Sequence, residues 1–184
     1  MAKWWLVSWT TYGTWLPGDK RGYCTHRSKV YVPPPIRYAK PGEPTYQPTE
    51  HNLVLKLAQS VTDDPVYLTA EQMKVAFDSI VTEIAEIPVV PAILSLGEWH
   101  IHWLCYFGPL TIKPIVERVK AAATRELNSR GFSGRRPWTR GCNTRSKATR
   151  KECRSAYRYV KRHLEQSCLI HEWPIDPKFL VFDE

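Results

Sequence analysis

The chain has 184 residues, 43% of them hydrophobic and 24% charged, with a formal net charge of +8. That length suits one domain, or one domain with a large insertion, and the apolar fraction agrees with a soluble globular protein that buries a real core. The Trp-rich start, Trp4 to Leu16, is too short and too punctuated by Ser, Thr and Gly to span a bilayer, and it lacks the parts of a signal peptide, so a cytoplasmic protein with no membrane partner is expected.

Five cysteines without Cys-x-x-Cys spacing suit reduced thiols. Cys168-x-x-His171 and Cys24-x-His26 each resemble half of a zinc site, with no second half nearby. The charge is unevenly placed. From Lys113 to Glu165 sixteen Lys/Arg stand against four Glu and no Asp, so this third carries +12 and the remainder about −4. Such asymmetry marks a polyanion partner more often than a merely solvated surface.

In chain order, residues 4–12 (WWLVSWTTY) alternate large apolar and small polar groups and read as a first strand that stops at Gly13. Residues 13–68 hold eight of the fifteen prolines, including Pro33-Pro34-Pro35, and read as a long irregular Pro/Tyr-rich insertion with a short helix near His51 to Ser60. From Thr69, a plausible N-cap, Met73, Ala76, Phe77, Ile80, Val81, Ile84 and Ile87 follow the spacing of an amphipathic helix. Val89 to Leu96 and Trp99 to Phe107 are two apolar strands separated by Gly97-Glu98, hence an antiparallel hairpin ended by Gly108-Pro109. Ile112, Ile115, Val116, Val119, Ala122, Ala123 and Leu127 mark a further helix. The Gly- and Arg-rich segment 130–145 leaves room for a last strand, Thr149 to Gln166 is a basic helix, and 167–184 is a tail.

The order strand, helix, strand, strand, helix, strand predicts an α+β, ferredoxin-like (split βαβ) domain: an antiparallel sheet with helices on one face, plus a C-terminal helix. Along the third strand His100 and His102 share one face, ~7 Å apart at Cα, while Ile101, Trp103, Cys105 and Phe107 take the other. Two imidazoles on one face can share a metal ion, although such a pair equally suits hydrogen bonding in a core. A third ligand is available from the basic helix, where Tyr157, Tyr159, His163 and Gln166 are candidates; Tyr159 and His163 are i and i+4, stacked on one face. A phenol with a reference pKa of about 10 needs a cation's help to act as a nucleophile, and a divalent metal at a phosphodiester gives it.

His100-Ile101-His102 resembles the HUH motif, and Tyr159-Val-Lys-Arg-His163 resembles the tyrosine helix of single-tyrosine HUH transposases. With Thr11 to Asp19, Trp138-Thr139-Arg140 and Thr144-Arg145, the chain resembles the REP-associated tyrosine transposases. The resemblance touches residues 5–20 and 95–166; His163 stands where family members often carry Gln or Asn. It implies cleavage and rejoining of single-stranded DNA, as in DNA transposition, with Tyr159 as nucleophile and Mg²⁺ or Mn²⁺ on His100, His102 and His163. It also implies a 5′-phosphotyrosyl intermediate, hairpin-bearing substrates, and a monomer or homodimer. Lys120, Arg125, Arg136, Arg140, Arg145, Arg158 and Arg162 are the candidates for backbone contact, and Trp138 for stacking on an unpaired base. The competing expectations are a domesticated, non-catalytic single-strand-binding protein on the same scaffold, and a zinc hydrolase using Glu98 as base.

Overall fold

The structure, a computed structural model, describes residues 3–24, 31–32, 48–132 and 135–175. Strand β1 (Trp4–Thr10) is followed by β2 (Tyr23–Cys24), β3 (Tyr31–Val32), α1 (Pro48–Ser60), α2 (Ala70–Ala85), β4 (Val90–Leu96) and β5 (His100–Tyr106). Then come α3 (Ile112–Ser129), β6 (Asn143–Lys147), α4 (Arg150–Lys161) and β7 (Leu169–Glu172). The chain divides into two compact units, Tyr12–Val66 and the remainder. No helix among the described residues is long and apolar enough to cross a membrane.

In the smaller unit β2 and β3 pair antiparallel. Gly18, at φ +87°, lies where a Cβ would collide with the backbone of His51 and Leu55, so only glycine admits this approach of loop to α1.

The larger unit is a mixed α+β structure on a five-stranded antiparallel sheet of order β6-β1-β5-β4-β7. Residues paired across antiparallel strands share a face. Trp4, Leu6, Ser8 and Thr10 therefore lie with Tyr106, Leu104, His102 and His100. Val7 and Trp9 lie with Trp103 and Ile101 on the opposite face. A register shift between Pro91 and Ile93 in β4 sets Ile93 opposite Leu104 and Ser95 opposite His102.

Helices α2 and α3 pack on each other. Their buried faces supply Ala76, Phe77, Ile80, Ile84, Val116, Val119, Ala123 and Leu127. Lys120 of α3 reaches over the Trp9 ring at 5.6 Å, which puts α3 on the Trp9 face of the sheet. Helix α2 opens on the expected Thr69 cap, completed as a capping box by Gln72: Gln72 N donates to Thr69 Oγ1 at 3.3 Å, and Thr69 N to Gln72 Oε1 at 3.0 Å. Helix α4 covers the histidine face, burying Cys153, Ala156 and Val160 against Trp4, Ala92, Ile93 and Leu104.

Three boundaries differ from the sequence expectation. Strand β1 ends at Thr10, because Thr11 makes an isolated bridge to Trp138. The basic helix is α-helical only to Lys161 and tightens into a 3₁₀ segment, Arg162–Gln166, which ends at Ser167 in the left-handed region (φ 59°). Part of the expected tail is β7, which pairs with β4 and extends the sheet.

Candidate metal and nucleophile site

Alternation along β5 brings His100 and His102 to the face that α4 covers, and their cross-strand neighbours there are small: Thr10 opposite His100, Ser8 and Ser95 opposite His102. Small neighbours leave room for two imidazoles where bulky ones would displace them. Gly97 makes further room, since a Cβ there would sit 2.8 Å from Cys168 Sγ and 3.2 Å from His100 Cε1. Helix α4 is started by a second capping box, Thr149 with Glu152. It runs along the same face, and the 3₁₀ segment after it delivers His163, 5% exposed, beneath the sheet.

The three imidazoles form a triangle with ring centroids 5.2 Å (His100–His102), 5.1 Å (His100–His163) and 4.6 Å (His102–His163) apart. Their candidate ligand nitrogens all lie within 4.8 Å of one another, and among the described residues this is the one group of three or more His, Cys, Asp or Glu gathered so closely. The Tyr159 ring lies 5.1 Å from His102 and 4.8 Å from His163, and its hydroxyl is 3.4 Å from His102 Nε2.

The electrostatics suit a cation in the triangle. Burial, with the neighbouring His163 and His100 rings and Arg145, pushes the His102 pKa down to about 3, so this ring is neutral and offers a lone pair. His163 Nδ1 donates to the Tyr159 carbonyl at 2.9 Å; a carbonyl only accepts, so Nδ1 carries a proton and Nε2 is the ring nitrogen left to face a ligand. His102 Nδ1 and the adjacent Ser95 Oγ are both buried without a hydrogen-bond partner, the condition expected where a bound group or its water completes the set. These residues can hold a metal ion.

Burial raises the Tyr159 pKa, and the charges of Arg145 and Arg162 oppose that rise. Tyr159 is nevertheless 40% exposed. Tyr157, two residues earlier, points elsewhere: it donates to Glu172 of β7, and burial together with that carboxylate raises its pKa strongly. Lys161 also reaches Glu172, at 3.1 Å.

The structure thus gathers Tyr159, His100, His102 and His163, with Arg145 and Arg162 close enough to act on the phenol. Other expected contacts fall away from it. Lys120 is 7% exposed and donates to the carbonyls of Thr139, at 2.9 Å, and Gly141, so it anchors the 139–141 loop to α3 and does not face solvent. Burial pushes its pKa down to about 8. Trp138, 3% exposed and bridged to Thr11, presents no face to a base. Arg125 is exposed on α3, and α3 lies on the opposite face of the sheet. Arg136, Arg140, Arg145, Arg158 and Arg162 are exposed. Cys24-x-His26 lies in part outside the described residues, while Cys168 is buried and His171 meets Trp173 edge-to-face, with ring centroids 4.3 Å apart. Sequence reasoning missed Ser95 and Gly97; the glycine before the strand was visible, but only as a turn signal. No protein-family model, curated protein or solved structure matches this chain.

Proposed function

We propose that the protein cleaves and rejoins single-stranded DNA through Tyr159, as a single-tyrosine HUH transposase of the REP-associated kind. The observation that carries this reading is the Tyr159 hydroxyl 3.4 Å from His102 Nε2, at the rim of a three-histidine cluster that can hold a metal. The strand order β6-β1-β5-β4, with α2 and α3 as the crossovers, supports a ferredoxin-like scaffold to which β7 is added.

His100, His102 and His163 would hold a divalent cation, which would supply Lewis-acid polarisation of the phosphate. The all-nitrogen donor set favours Mn²⁺ over Mg²⁺, which prefers oxygen ligands, and holds Zn²⁺ more tightly than either. Tyr159 Oη forms a bond to phosphorus as the bond to the 3′-oxygen breaks. The phenolic proton is given up and the departing 3′-oxygen gains one, leaving a 5′-phosphotyrosyl link and a free 3′-OH. Arg145 and Arg162 favour the phenolate that burial disfavours. Because the link conserves the phosphodiester bond, a 3′-OH reverses the step without an energy source.

A single-stranded hairpin oligonucleotide incubated with the protein and Mn²⁺ is expected to give a covalent adduct on a denaturing gel. Tyr159→Phe abolishes it and Tyr157→Phe leaves it. An adduct that persists in Tyr159→Phe overturns the assignment of the nucleophile. Strand binding that survives chelation and loss of both β5 histidines, with no adduct under any condition, replaces the reading with non-catalytic single-strand binding.

A further inference from the structure

Outside the histidine site, one shallow depression on α4 is lined by Arg150, Lys151, Arg154, Ser155, Arg158 and Arg162 alone. Every fourth residue from Arg150 to Arg162 is an arginine. At 1.5 Å rise per residue the rungs are ~6 Å apart and the row is ~18 Å long. The 100° step of the helix sets this row opposite Cys153, Ala156 and Val160, which face the sheet, and sets Tyr159 on the flank between them.

None of these five cations is in an ion pair among the described residues, whereas the nearby charges are committed: Glu152 to the helix cap and Lys161 to Glu172. Arg154 Nε is buried without a hydrogen-bond partner. Like charges at i and i+4 repel, so the row destabilises its own helix until a polyanion neutralises it. The last rung, Arg162, is three residues after Tyr159 and so is its neighbour on the surface one turn along.

The geometry points to a phosphate ladder: Arg150, Arg154, Arg158 and Arg162 hold successive phosphates of one nucleic acid strand and lead it along the outside of α4 to Tyr159. The spacing of about one rung per 6 Å along the axis is comparable to that of neighbouring phosphates in an extended strand, and the row winds by about 120° around the helix from Arg150 to Arg162, a turn that a flexible single strand can follow. An anionic membrane is the poorer match, because the side chains lining the depression include no aliphatic or aromatic group to insert. The inference rests on the reading of Tyr159 as acting on a nucleic acid strand, and it adds where that strand runs before it reaches the site.

The test is equilibrium binding of a fluorescent oligothymidylate to the full chain across a salt series. The Arg150→Gln, Arg154→Gln, Arg158→Gln triple variant is expected to lower the slope of log affinity against log salt by about 2, so the wild-type advantage shrinks about 20-fold between about 50 and 200 mM salt. The corresponding triple Lys variant keeps the slope, and circular dichroism shows the Gln variant as helical as the wild type. An unchanged slope in the Gln variant overturns the ladder. So does wild-type binding to phosphatidylserine vesicles that the oligothymidylate does not displace. Adduct formation by the wild type at saturating strand is scored separately: its failure removes the cleavage reading, while a slope carried by the three arginines still establishes the ladder.

Discussion

The two ends of the interface between α4 and the sheet are built from the same helix and strands but filled with opposite chemistry. At one end Trp4, Ala92, Ile93 and Leu104 close on Cys153, Ala156 and Val160, an apolar seal without a charged side chain. At the other end His100, His102 and His163 converge, with buried Ser95 and the Tyr159 phenol beside them. Burying apolar area is favourable wherever it occurs, whereas burying an imidazole or hydroxyl without a partner is costly. One end therefore holds the helix down, and the other spends part of that stability on keeping lone pairs aimed at a common point.

The largest effect that separates the two ends is expected from His102→Ala. Isothermal titration should show Mn²⁺ affinity falling by more than the roughly 10–100-fold that loss of an outer-shell partner costs, while the protein stays folded. Retained affinity would show that the triangle is not the metal site. Ile93→Ala probes the apolar end: urea unfolding should report a loss of about 2–5 kcal/mol for a fully buried side chain, with Mn²⁺ affinity little changed. If Ile93→Ala instead empties the site at native stability, the two ends do not divide labour as described.

The smallest effect concerns Lys120, a buried charge away from both ends. Its ammonium titrates at about 8 because burial disfavours the charged form. Between about 8 and roughly 10.4 the unfolded chain still binds the proton that the folded chain has released, so this group's contribution raises stability as pH rises through that window. The difference between wild-type and Lys120→Met stability, followed by urea midpoint against pH, should show that rise; a flat difference would mean that the Thr139 and Gly141 carbonyls fully offset the burial.

Much of this arrangement was legible in the sequence because periodicity survives folding. Alternation in β5 placed His100 and His102 together, the i,i+4 pair placed Tyr159 near His163, and Thr69 with the apolar spacing after it marked α2. What escaped has no periodic signature. Strand β7 has only four residues and lies at a sheet edge, where pairing with β4 and the reach of Tyr157 to Glu172 decide its shape. Strand β6 (NTRSK) is polar and mostly exposed, so nothing apolar marks its bounds, and the sequence offers only room for a last strand within 130–145. The burial of Lys120 depends on two carbonyls from a loop nineteen and twenty-one residues away, and a lysine in isolation reads as surface.

The bond from His163 Nδ1 to the Tyr159 carbonyl makes the third imidazole a tether to the very peptide that carries the phenol. A shift of that ring would pull on one carbonyl, and the hydroxyl at the far end of the same residue would swing with it. Imidazole and phenol are then one mechanical part, aimed together or mis-aimed together.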